Sequence, residues 1–229
     1  MTIRQADLLC RVSIVQSHLN STVAIIEQYR GEEPLASFLR KYFSRHKKYG
    51  SKDRKQIAHL CYCYFRLGKA LMNIPTNQRI VAALFLCSST PDLLLDALKP
   101  EWSDKVLLPV EEKWAIAEGK NGVSNIFPWS ELLSAGLDHL QFCKSLLIQP
   151  DLFLRIRPGK TELVQLKLQQ AGIIFSRPNA TCIALDNGTK IDELIILDKE
   201  AVVQDYNSQK VGDFLSLLPV QNNRRVWDC

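Results

Sequence analysis

Residues 148–160 read IQPDLFLRIRPGK, and the periodicity of the chain changes there. Leu152, Leu154 and Ile156 alternate with Phe153, Arg155 and Arg157. That is the two-residue repeat of a strand with one apolar face and one face able to carry polar groups. Upstream, apolar residues recur at three and four, the period of amphipathic helices. The break predicts an α+β chain, with a helical module over residues 1–147 and a small α/β module over residues 148–204.

The helical module carries recognisable starts and stops. Ser21 precedes TVAIIEQY, which ends near Gly31, and Pro34 opens PLASFLRKYF. Ser51 caps a long segment, Thr76 precedes NQRIVAALFLC, and Thr90-Pro91 opens DLLLDALK. A helix is expected over 110–118, and Ser130 and Asp138 each start a short one. In the second module the pattern predicts a helix from Thr161 to Gly172 and strands over 173–176, 182–185 and 201–204. The sequence Asp186-Asn187-Gly188 forms a turn. A last helix is expected over 208–218 and a last strand over 226–229.

The net charge of +5 is concentrated rather than spread. Residues 40–55, RKYFSRHKKYGSKDRK, hold eight Lys or Arg against one Asp, so the remainder of the chain sums to −2. The candidate RNA-contacting cations there are Arg40, Lys41, Arg45, Lys47, Lys48, Lys52, Arg54 and Lys55. Such a cluster binds phosphate backbones by releasing condensed counterions. On a helical wheel Ile57, Leu60, Cys61, Tyr64, Leu67, Gly68 and Leu71 form an apolar stripe. Lys55, His59, Arg66 and Lys69 lie opposite, beside Tyr62, which adds Arg66 to the candidates and reads His59 as a surface residue. Free backbone N–H groups just before this helix offer a further phosphate seat, flanked by Lys47, Lys48, Lys52 and Arg54. In the second module Arg155 and Arg157 share a strand face and suit a phosphate backbone together.

Other chemistries find little footing. The cysteines at 10, 61, 63, 87, 143, 182 and 229 show no Cys-x-x-Cys spacing and read as buried thiols. His18, His46, His59 and His139 have no ligand spacing, so no metal site is expected. No serine sits in a nucleophile-elbow context. The longest apolar run, residues 80–87, is far short of the ~20 residues of a membrane helix. Asp7 and Arg11 interrupt any signal-peptide core, so a cytoplasmic protein without a membrane partner is expected.

Four segments in register carry a resemblance: YGSKDRKQIAHLCYCYFR at 49–66, QPDLFLRIRPGK at 149–160, VVQDYNSQKVGDFL at 202–215 and VWDC at 226–229. Together they resemble the RNA cytosine-5 methyltransferases of the Sun/RsmB-like (Fmu) family. The resemblance implies a NusB-like helical RNA-binding domain over 1–147 and an RRM-like domain over 148–204. Residues 205–229 would then begin a doubly wound methyltransferase domain. In the family a strand like VWDC runs into a Gly-rich loop that cradles S-adenosylmethionine, at the strand end where such sheets bind ligands. Asp228 and Cys229 would border that loop, and the chain is expected to be truncated before it.

The family's covalent chemistry uses a thiolate in a Thr-Cys motif and a second cysteine in a Pro-Cys motif, both beyond the loop. No Pro-Cys occurs here, and Thr181-Cys182 lies upstream in a strand-like run, so no catalytic residue is assigned. The chain alone is therefore expected to be a monomer that binds RNA, ribosomal first and transfer RNA next, without cofactor or activity. Two other readings use the same residues. One is a stand-alone NusB-like RNA-binding adaptor; the other is a scaffold whose basic stretch meets an acidic protein.

Overall fold

The computed structural model describes residues 3–118 and 122–217, with side chains over 12–117 and 122–214. The chain is α+β and divides into two compact units, Met1–Ile148 and Gln149–Cys229. The first unit is helical. Its helices are α1 (Ile3–Gln28), α2 (Leu35–Arg45), α3 (Ser51–Arg66), α4 (Thr76–Cys87), α5 (Leu93–Leu98), α6 (Pro100–Ser103), α7 (Val110–Glu118) and α8 (His139–Leu146). Short 3-10 turns at Val123–Ile126 and Ser130–Leu132 precede α8.

The run IVAALFL at 80–86 is apolar on every side, the pattern of a helix at the centre of a bundle. Accordingly Ile80 through Leu86 are all buried in α4, which packs against α1, α3, α5 and α7. Each fully buried Leu, Ile or Phe there contributes about 1.5–3 kcal/mol of transfer free energy.

Two buried cations satisfy backbone carbonyls around this helix, one at its C-terminal end and one in the turn that follows α3. Lys113, from α7, donates its Nζ to the carbonyls of Phe85, Leu86 and Ser88 at 3.3, 3.1 and 2.7 Å. It thereby satisfies carbonyls that a helix C-terminus leaves without partners. Arg79, 3% exposed, donates Nε to the Ala70 carbonyl at 2.8 Å and Nη2 to the Gly68 carbonyl at 2.7 Å. Its guanidinium also lies 4.1 Å from the Tyr64 ring centroid.

Several local expectations are corrected. α1 is continuous through Ser21, whose hydroxyl donates back to the Ser17 carbonyl at 2.8 Å instead of capping a new helix. The cap of α5 is Asp92, not Thr90: its carboxylate accepts from Leu94 and Leu95 N–H at 2.7 and 3.3 Å. α3 stops at Arg66 and does not run on to Leu71. The reason is steric: Gly68 has φ +51, and a Cβ there would stand 2.1 Å from the Ile126 carbonyl oxygen. Glycine alone fits that left-handed position against the Ile126 carbonyl, and the left-handed φ takes the chain out of the helix, with Leu71 also left-handed at φ 57.

The second unit holds β1 (Leu152–Ile156), α9 (Thr161–Gln170), β2 (Phe175–Asn179), β3 (Cys182–Leu185), β4 (Ala201–Val203) and α10 (Tyr206–Lys210). The sheet order is β2-β3-β1-β4 with every pair antiparallel. β2 begins two residues later than the alternation suggests. The helix expected over 208–218 is the short α10 followed by a 3-10 stretch, Val211–Leu217. The strand expected over 226–229 lies outside the described residues.

Alternation fixes the faces of this sheet. Leu154 and Ile156 face α9 and pack with Val164, Leu168, Ile183, Leu185 and Ala201. Between β3 and β4 the chain makes turns rather than a helix, and Ile191 and Ile195 insert into the same core. Glu200 anchors that segment, accepting from Lys167 Nζ at 2.8 Å on both oxygens and from Ile196 N–H at 2.9 Å.

Replacing Arg79 by Met is expected to destabilise the helical unit by about 3 kcal/mol, since two buried carbonyls would be left without charge-assisted partners. Urea denaturation followed by circular dichroism reads this as a lower midpoint. A second expectation concerns pH. Lys167, and then the Ile196 N–H, hold the Glu200 carboxyl below its ordinary value of 4.5. Its stabilisation is therefore fully present above about pH 4.5 and is lost as pH falls through the folded-state value. Glu200→Gln should flatten that acid limb, measured as thermal midpoint against pH.

Candidate nucleic-acid interface

The basic stretch folds as the end of α2, the turn at 46–50 and the start of α3. Its aromatic residues supply the support. Tyr42, Phe43 and Tyr49 are buried in one cluster with Leu39, Ile57 and Cys61. Burial and the neighbouring Tyr49 push the Tyr42 hydroxyl up to about 12, so it stays protonated. Tyr49 donates its hydroxyl to Ser21 Oγ at 3.0 Å, which ties the turn to α1. With these rings inside, the intervening Lys and Arg side chains are forced outward.

Arg40, Lys41, Arg45, Lys47, Lys48, Lys52, Arg54 and Lys55 are all exposed. Among the described residues, the one acidic partner of the eight is Glu33, 2.8 Å from Lys41. Two of the others have local duties. Arg54 donates Nε to the Tyr49 carbonyl at 2.9 Å, closing the turn, and Lys48 Nζ lies 5.0 Å from the Tyr49 ring centroid. Arg40, Arg45, Lys47, Lys52 and Lys55 present their charge to solvent.

The phosphate seat expected at the start of α3 is corrected. Asp53 fills it: Oδ2 accepts from Gly50 N–H at 2.8 Å and Oδ1 lies 3.0 Å from His18 Nε2. The Gly50 backbone bond, followed by the one to His18, holds this carboxyl below its ordinary range. A carboxylate already complements the helix dipole at that point, so the cations around it, rather than backbone N–H groups, provide the positive field.

Along one face of α3 lie Lys52, Lys55, His59, Tyr62 and Arg66, with Lys69 in the following turn, at alternate spacings of three and four; Lys52, Lys55, Tyr62 and Lys69 are exposed, and Arg66 is half-buried. These residues form one ridge, about 21 Å from Lys52 to Arg66 at 1.5 Å per residue. His59 departs from its expected surface role. It is half-buried, 3.9 Å from Asp92 Oδ2, and desolvation lowers its pKa despite that carboxylate. Beyond Tyr62 the ridge meets an open groove of about 650 Å³ lined by Tyr62, Phe65, Arg66, Lys69 and Trp129, with Arg79 at its floor. The local pattern of α3 marks Tyr62 and Arg66 but not Trp129, whose place beside α3 depends on the long-range approach of residues 68–69 to Ile126.

In the second unit Arg155 is exposed, opposite Cys182 on β3 and Val202 on β4. Arg157 does not serve the same face as a free cation. It lies past the end of β1, its N–H donates to the Glu200 carbonyl at 3.0 Å, and its Nε donates to the Asp198 carbonyl at 3.1 Å. The sheet face carrying Arg155 is partly covered by α10, where Tyr206 stacks on Phe153 with centroids 5.7 Å apart. Cys182 is 1% exposed, and desolvation raises its thiol pKa. Asp228 and Cys229 lie outside the described residues. Among those residues no group of three or more His, Cys, Asp or Glu side chains could hold a metal ion. No described helix is long and apolar enough to cross a membrane.

No protein-family model matches this chain, and no curated protein matches it in sequence.

Asp53→Ala removes the capping carboxylate from α3 and is expected to cost about 1 kcal/mol. Thermal denaturation of the variant beside the wild type measures it.

Proposed function

We propose that this chain binds RNA through the cations of α2, the 46–50 turn and α3. On the resemblance of its segments, it forms the RNA-binding part of an S-adenosylmethionine-dependent RNA cytosine-C5 methyltransferase, with ribosomal RNA as the first substrate class. The observation that carries the binding reading is the exposure of Arg40, Arg45, Lys47, Lys52 and Lys55 with no acidic partner among the described residues. An uncompensated field of this kind draws polyanions and releases their counterions.

The architecture supports the finer reading in two ways. The first unit is all helical and carries the basic cluster, as a NusB-like RNA-binding domain would. The second has the strand order and antiparallel pairing of an RRM-like β-α-β-β-α-β unit, with turns in place of the second helix. The methyltransferase assignment itself rests on the resemblance. S-adenosylmethionine would supply the methyl group, but Asp228 and Cys229, the residues placed beside its loop, lie outside the described residues. No step of methyl transfer is assigned to this chain, and buried Cys182 is a structural thiol in this reading.

Affinity for single-stranded RNA, followed by fluorescence anisotropy across a salt series, tests the proposal. Replacing Lys47, Lys48, Lys52 and Lys55 together by Ala should lower the slope of log K against log salt by about 0.7 for each phosphate no longer neutralised. The affinity itself should drop at least about tenfold at low salt. An unchanged slope would remove the RNA interface. Polyglutamate competing as well as RNA, charge for charge, would give the patch to an acidic protein instead.

A further inference from the structure

The groove beyond Tyr62 calls for an occupant of its own. Tyr62, Phe65 and Trp129 are 38%, 37% and 41% exposed, so three aromatic rings from two separate segments stand open to water around one recess. At about 650 Å³ the recess is in the range of small-molecule sites, ~300–1,000 Å³. None of its lining residues is acidic, and Arg66, Lys69 and Arg79 all contribute to it. It also lies at the end of the ridge that begins with Lys52 and Lys55, so a strand following those cations arrives at the rings.

Resting on the RNA-binding reading above, we infer that this groove holds one or two unstacked bases of a single-stranded RNA whose phosphates follow the basic ridge of α3. The chemistry favours that occupant over the others. A nucleobase presents a flat π-face to Tyr62 and Trp129 while its own phosphate remains beside Lys69, so rings and cations are satisfied together. An apolar protein segment would cover the rings but strip water from Lys69 with no counter-charge, which is costly. Duplex RNA keeps its base faces inside the stack and cannot offer them to the rings.

Three probes separate base from phosphate: a short single-stranded oligoribonucleotide, the same oligomer with abasic sugars, and a duplex. The double variant Tyr62→Ala, Trp129→Ala should bind the intact single strand roughly tenfold or more weakly, with its salt slope unchanged. It should bind the abasic oligomer as the wild type does, which also shows that the basic ridge is still folded. Tyr62→Phe and Trp129→Phe should keep wild-type affinity, because the π-faces remain. Wild-type affinity of the double variant for the intact strand would overturn the inference and leave the groove to a protein occupant. An equal weakening on intact and abasic strands would also overturn it. If the wild type shows no salt-dependent affinity for any of the three probes, the RNA-binding proposal falls, and this inference with it.

Discussion

Arg79 is the residue on which the helical unit's surface depends. Its guanidinium, buried within α4, reaches back to the carbonyls of Gly68 and Ala70 and lies against Tyr64. Those carbonyls belong to a turn in which both Gly68 and Leu71 are left-handed. For leucine that conformation costs roughly 1–2 kcal/mol. Charge-assisted bonds from a desolvated guanidinium, about 1.5–3 kcal/mol each, are strong enough to offset it. With the turn fixed, α3 ends at Arg66, Lys69 N–H meets the Ile126 carbonyl at 3.1 Å, and the segment bearing Trp129 is brought beside α3. The left-handed glycine turn and the buried charge that holds it together set where α3 stops and what stands at the end of its ridge.

The unit uses its cations in two opposite ways. Arg79 and Lys113 are inside, each directing its donors to backbone carbonyls at a chain reversal or helix end. The cations of residues 40–55 are outside, held there because Tyr42, Phe43 and Tyr49 occupy the interior of the same stretch. Counting charge makes no distinction between the two groups. Burial does: a desolvated cation must be matched by local acceptors, whereas a solvated one remains available to a polyanion.

The second unit shows how a shared strand face can divide its duties. Strand alternation puts Arg155 and Arg157 in phase, but β1 ends at Ile156. Arg157 is then drawn into holding the segment before β4, through the carbonyls of Asp198 and Glu200. Glu200 in turn fastens that segment to α9 through Lys167. The stack of Tyr206 on Phe153 covers part of the remaining face, so Arg155 stands at the rim of an aromatic pairing the chain supplies to itself.

The sequence alone determined the α+β division near residue 148, the central apolar helix, the strand at 182–185 and the exposure of the basic stretch. Each is set by a local period or by a local excess of charge that burial cannot absorb. It placed helix starts less well: Ser21 and Thr90 have capping chemistry, but Ser21 bonds back within α1 and Asp92 takes the cap of α5. It did not reveal that Asp53, legible as a first-turn carboxylate, also reaches His18 on α1, that Arg157 is held by a loop far along the chain, or that Trp129 joins Tyr62 and Phe65 around one groove. Those facts depend on side chains meeting across long sequence separations, and only the packed chain decides which of them meet.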